Sequence, residues 1–230
     1  MVGCLTTLGR VAKPVNYEMA GWKRRQKLAT RYDVTIITVR PGTHPKALAV
    51  LKDGLAHASD LRACWYSELG ALNQILLIRE AADPAKTIAD RFAQLNSKNP
   101  FGIGEIVTGM TMDTYVSFEF IAPLQAGEFG PYFEVRTYVL KPNGLPPTIE
   151  LWRQAVPGRA NVSPLLAAMV SVTGSVIRFI HIWPYKTLDE RGRLRAKAVA
   201  DGVWPPPGGP SHLAAQQSDI YLPAPFSPIR

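Results

Sequence analysis

Long apolar runs are missing from this 230-residue chain. No stretch approaches the roughly 18 consecutive apolar residues of a membrane-spanning helix, so no membrane span is expected. Cysteine is scarce. Cys4 and Cys64 lie far apart with no CxxC partner, which argues against a disulfide framework or a cysteine-based zinc site and favours a reducing compartment, the cytoplasm. Histidine is scarce too: beside His181 there are only His44, His57 and His212, none at metal-ligand spacing with carboxylates, so no metal is expected.

Acid is what the first 31 residues lack. They hold Arg10, Lys13, Lys23, Arg24, Arg25, Lys27 and Arg31 against Glu18 alone, and so account for +6 of the net charge of +8. The rest of the chain is near neutral, which excludes a broad phosphate-binding surface, and no nucleic-acid partner is expected. Residues 1–31 show no periodic apolar face and no secretory core, and read as a basic, disordered leader. Targeting to an organelle by this leader, or a translation start at Met19, are the alternatives to a plain tail. The composition of the whole, 47% hydrophobic and 19% charged, is that of a globular protein.

What is present is a repeat. Tyr32–Val39, YDVTIITV, is rich in β-branched residues and predicts a strand, closed by Arg40-Pro41-Gly42. A helix is expected from Pro45 to Ala58, with Leu48, Leu51 and Leu55 at the spacing of a buried stripe. About a hundred residues later Phe133–Leu140, FEVRTYVL, leads through Lys141-Pro142-Asn143-Gly144 into a helical segment at Thr148–Ala155. Pro41 and Pro45 align on Pro142 and Pro146, and Asp33 on Glu134. GALNQILLI (70–78) aligns on GSVIRFIHI (174–182), glycine on glycine. FEFIAP (118–123) is set against YLPAPF (221–226) as the closing strand of each unit. Second helices are expected at Pro84–Leu95 and Leu188–Val199, and weak second strands near Cys64–Glu68 and Met169–Thr173.

Each unit therefore reads βαββαβ, the ferredoxin-like arrangement, with one sheet face left bare by its helices. The units, 32–127 and 128–230, are expected to close on each other as an intramolecular barrel.

The second unit resembles the NIPSNAP family. YFEVRTYVLKP (132–142) matches the family's opening strand, and GSVIRFIHIWPYKTLDERGRLR (174–195) matches its glycine-led strand, aromatic run and arginine-rich helix. Ile177 stands where the family has Asn, a residue that survives in the first unit as Asn73. The resemblance implies an α+β fold of the dimeric α+β-barrel type. Its relatives include cofactor-independent monooxygenases and haem-handling proteins, so it does not choose an activity.

Strand alternation sorts the side chains. Glu134, Arg136 and Tyr138 share one face, as do Phe179, His181 and Trp183, and these faces are expected to point into the barrel. The first unit offers Thr35, Ile37, Leu77 and Arg79 at the equivalent places, so one half keeps polar chemistry and the other supplies a wall carrying Asn73. His181 is the candidate catalytic base; Arg136, Tyr138, Phe179, Trp183, Asn73 and Glu134 are the candidate ligand-binding residues. The plainer alternative makes His181 a packed core residue and Arg136–Glu134 a neutralising pair. Gly102-Ile103-Gly104 is a turn, since no GK[ST] follows it. Arg191, Arg193 and Arg195 read as a solvated helix face, and Trp204, before Pro205–Pro207, as a plug at a core edge.

The leading expectation is a protein that binds a small apolar molecule between its two repeats, without a cofactor. The second is an enzyme of the cofactor-independent monooxygenase type, with His181 as base and Arg136 and Asn73 holding an enolate-like anion. The third is a scaffold that pairs with itself, as a homo-oligomer, or with another protein. Haem bound through His181 is a minor variant.

Overall fold

The computed structural model describes residues 29–230; the basic leader lies outside the described residues except at its end, where Arg31 already opens the first strand. The elements are β1 (Arg31–Val39), α1 (His44–Leu55), β2 (Leu61–Leu69), β3 (Gln74–Glu80), α2 (Pro84–Leu95) and β4 (Val107–Ser117). They are followed by β5 (Tyr132–Leu140), α3 (Leu145–Ala160), β6 (Ala167–Ser171), β7 (Arg178–Tyr185), α4 (Leu188–Ala200) and β8 (Leu213–Pro223). Each half thus has the order βαββαβ. The strands run β4-β1-β3-β2 in one half and β8-β5-β7-β6 in the other, the ferredoxin-like order, and all neighbours are antiparallel. Pairing of β2 with β8 and of β4 with β6 closes one barrel. This is the α+β architecture the sequence predicts. No helix among the described residues is long and apolar enough to cross a membrane.

Local chemistry fixes the two helices that follow the third strands. The Asp83 carboxylate accepts from the N–H groups of Ala85 and Lys86 at 2.9 and 3.2 Å, with Pro84 in the first turn, where its missing N–H costs nothing. Thr187 Oγ1 accepts from Glu190 N at 3.0 Å, while Glu190 Oε2 accepts from Lys186 N at 2.7 Å. Such reciprocal capping sets the starting angle of α4.

One expected strand is misplaced. FEFIAP (118–123) follows β4 rather than forming it; the closing strand of the first half is Val107–Ser117. The true correspondence pairs Asp113-Thr114-Tyr115 with Asp219-Ile220-Tyr221. A short Asp-x-Tyr match was less visible than shared prolines and phenylalanines, because closing strands with one polar side carry little apolar signal.

The barrel interior is apolar at one end. Trp65 and Phe133, one from each half and both fully buried, stack with centroids 4.1 Å apart, an arrangement worth about 0.5–1.5 kcal/mol beyond its area. The Trp65 indole donates to Ile229 O at 2.9 Å, and the Tyr32 hydroxyl accepts from Leu124 N at 2.8 Å. The interior residues of β5 and β7 are Phe133, Val135, Ile180 and Ile182. The sequence had assigned these to the helix side, so the assignment of faces is inverted. Glu134, Arg136, Tyr138, Phe179, His181 and Trp183 point outward, toward α3 and α4. Both faces of these strands are buried, one by the opposite half and one by helices, so burial does not distinguish them by composition. Arg178, on the interior side of β7, lines the open end of the barrel and donates to Asp113 at 2.5 Å.

Candidate functional site

The antiparallel register of β5 and β7 sets Glu134 opposite Trp183, Arg136 opposite His181 and Tyr138 opposite Phe179. All six side chains therefore rise on one side of the sheet. Helix α3 crosses above them and brings its buried face, Thr148, Trp152 and Arg159, onto the strands. These positions are four and seven apart, one stripe of a helix. Helix α4 brings Arg191 and Arg195, one turn apart, over Glu134. Between sheet, α3, α4 and the Trp204–Pro210 loop lies a cavity of about 620 Å³, the size of a site for a drug-sized molecule. Its walls include Leu151, Trp152, Val199, Trp204 and Leu213, with Arg136, Tyr138, His181 and Trp183 at the sheet.

Glu134 organises the charges. It is fully buried and accepts from Arg191 at 2.6 Å, Ser218 Oγ at 2.7 Å, Arg136 at 3.1 Å and Arg195 at 3.4 Å. Burial alone would push its pKa up, but the bonds to Arg191 and Ser218 and the charges of Arg195 and Arg136 outweigh burial and hold it below the ordinary value. Arg136 also donates through Nε to the Tyr138 hydroxyl at 2.9 Å. One carboxylate thus serves three guanidiniums.

His181 is 1% exposed. Its Nδ1 accepts the Trp183 indole N–H at 2.6 Å, whereas its Nε2 has no partner among the described residues. Burial, and then the charges of Arg136, Arg195 and Arg159, lower its pKa well below 6.5. Trp152 and Tyr138 approach its ring with centroids 4.7 Å away. With Nδ1 occupied as the acceptor of the Trp183 N–H, the ring proton lies on Nε2 and no lone pair is offered to an iron, so haem ligation does not fit. Arg159, 2% exposed, lies with its guanidinium 4.3 Å above the Trp183 ring and makes no ion pair among the described residues.

Of the residues singled out from sequence, Arg136, Tyr138, His181 and Trp183 line one cavity. Glu134 lies beneath it, and Phe179 is packed behind, stacked on Phe118 at 5.0 Å and under Trp152 at 4.7 Å. Asn73 is elsewhere: it occupies the β2–β3 turn of the first half at φ 59°, its carbonyl accepting from Val39 N at 2.9 Å. The site belongs to the second half alone and does not lie between the repeats. Arg191 and Arg195 do not form a solvated face; they turn onto Glu134, and only Arg193 is left to solvent. Sequence reasoning missed Trp152, Arg159 and Arg195. Two were legible as polar or aromatic residues on the one buried stripe of α3, had its full length of sixteen residues been recognised.

The first half has no counterpart to this cavity among its described residues. Ile37, Leu77, Ile75 and Cys64 fill the equivalent space with Ala47 and Leu51 of α1, and burial pushes the Cys64 thiol up to about 12. Between the halves, the open end of the barrel holds a second recess of about 530 Å³, walled by Val34, Leu76, Val135 and Ile180 and rimmed by Arg178 and Asp219.

Residues 133–228 match the NIPSNAP family model. A protein NipSnap homolog from Dictyostelium discoideum is 22% identical over 199 residues, covering 83% of this chain and 86% of that one. Two solved structures share the whole architecture. An anthrone oxidase-like protein superposes with a TM-score of 0.61 at 12% identity, covering 86% of this chain and 92% of that one. A putative monooxygenase from Lactobacillus acidophilus gives 0.61 at 7% identity, covering 84% and 93%. At these identities the likeness is one of fold.

Proposed function

We propose that, in this chain whose second half matches the NIPSNAP family model, the cavity between the β5–β7 face and helices α3 and α4 binds a small molecule with a flat, largely apolar body. One observation carries the reading: the cavity of about 620 Å³ is walled by Trp152, Trp183 and Trp204, while polar groups collect at its sheet side. Flat indole walls with a few convergent polar atoms are the usual make-up of a small-molecule pocket. The same reading treats 32–127 and 128–230 as products of a duplication in which the first unit filled its pocket. It places the protein in a reducing compartment such as the cytoplasm, where the buried thiol of Cys64 stays reduced.

Intrinsic fluorescence tests it, because three tryptophans line the cavity. N-phenyl-1-naphthylamine, a neutral apolar probe, should quench them and saturate. Ala196→Trp, on the exposed α4 wall, should weaken that binding at least tenfold with the melting temperature unchanged. Unaltered binding in this variant would place the probe elsewhere and sink the reading.

A second reading is catalysis of the cofactor-independent oxygenase kind, supported by the fold shared with the anthrone oxidase-like protein and the putative monooxygenase. Oxygen consumption with an anthrone-type substrate, absent in Arg136→Met, would favour it over binding alone.

A further inference from the structure

We propose that this pocket selects ligands bearing an oxyanion on a flat ring system, a carboxylate, phenolate or enolate, and that His181 recognises the anion as a fixed Nε2–H donor and does not serve as a base. The inference rests on the pocket reading above and names its ligand class.

The indole N–H of Trp183 can only donate. It points at His181 Nδ1 at 2.6 Å, so that nitrogen must offer its lone pair. A neutral imidazole with a bare Nδ1 carries its proton on Nε2. Protonating the ring would set two N–H donors head to head, and the surrounding Arg136, Arg159 and Arg195 oppose the added charge as well. His181 therefore keeps one tautomer. Its only free group is a donor, and that donor is buried without an acceptor among the described residues. A buried unsatisfied N–H is costly, and an incoming acceptor relieves it.

A second observation points the same way. Arg159 is buried against Trp183 and makes no ion pair among the described residues, while Arg136, Arg191 and Arg195 share the single carboxylate of Glu134. The ionisable side chains lining the cavity are Arg136, Arg159, Arg195, His181 and Tyr138, with no carboxylate among them. Among the described residues Arg159 reaches only Ser163 O, at 3.4 Å, and a buried guanidinium without a carboxylate partner suits a planar oxyanion. The indoles of Trp152 and Trp204 then hold the ring that bears it. Trp183 is a positioning residue: it acts through the tautomer it imposes on His181.

Two measurements on the full chain test this. With ¹⁵N-labelled histidine, His181 should report the Nε2–H tautomer and no titration between pH 5 and 8. Trp183→Phe should release the lock, giving mixed tautomers and a titration that moves upward. A wild-type Nδ1–H tautomer, or a wild-type titration near 6.5, would overturn the proposal. In the binding arm, 8-anilinonaphthalene-1-sulfonate should bind at least tenfold more tightly than neutral N-phenyl-1-naphthylamine. His181→Asn, whose carbonyl can still accept from Trp183 but which places no donor at Nε2, should lose that preference. His181→Gln, which restores a donor there, should retain it. Equal affinity of the wild type for the two probes would reject anion selection and leave the pocket reading standing; failure of both probes to bind would reject both.

Discussion

Asp219 of β8 lies against Gly70, across the seam where the second half meets the first. Its carboxylate accepts from Ala71 N at 2.8 Å, and a Cβ added at Gly70 would overlap it. The other seam repeats the arrangement: Asp113 of β4 fills the space beside Gly174, accepting from Thr173 Oγ1 at 3.3 Å and Arg178 at 2.5 Å. The last strand of each half thus fastens the glycine turn of the other. This is the physical reason that both units carry a glycine at the start of their third-strand block.

Gly70→Ala and Gly174→Ala should each destabilise strongly. Both glycines have positive φ, 96° and 67°, and both face a carboxylate at overlap distance. Strain and overpacking together cost roughly 2–4 kcal/mol. Adding Asp219→Ala to Gly70→Ala should recover part of that loss, a non-additivity read directly in denaturant unfolding.

Acid should loosen the second half through Glu134. Its folded pKa lies below the ordinary 4.5, so its contribution to stability is fully present above that value and is lost as pH falls through the folded pKa. The stability gap between wild type and Glu134→Gln should therefore be wide at pH 7 and narrow toward pH 3. A gap independent of pH would show that the carboxylate charge is not what holds Arg191 and Arg195.

His181 should act in a different window. Its folded pKa is depressed far below 6.5, so the unfolded chain binds the proton first, and stability falls as pH drops below about 6.5. His181→Gln should remove the part of the acid loss that falls between pH 6.5 and the onset of the Glu134 effect.

The first half should respond as core. Leu77 is fully buried in the apolar cluster that occupies the equivalent of the pocket. Leu77→Ala should cost about 2–5 kcal/mol while leaving probe binding in the folded protein unchanged. Trp204→Ala should do the reverse. Trp204 is half-buried and meets Trp152 edge-on at 4.7 Å, so its loss should cut probe affinity about tenfold with a smaller effect on unfolding.

The sequence by itself determined which side chains travel together. Alternation put Glu134, Arg136 and Tyr138 on one face of their strand, and Phe179, His181 and Trp183 on one face of theirs. The proline and glycine punctuation exposed two units of the same order. The β-branched runs and the stripes at three and four residues placed most helices and strands to within a few residues. Which face looks inward was decided only by tertiary structure. A barrel strand roofed by helices is buried on both sides, so period two is visible while the direction of the core is not. Only packing of the opposite half against Phe133 and Val135 makes that side the interior, and leaves Arg136 and His181 to the helices. Packing also joined residues distant along the chain: Arg191 and Arg195 reach the strands from a helix whose own sequence reads as solvated charge. Their chemistry depends on Glu134, 57 and 61 positions earlier, and no local pattern records that meeting.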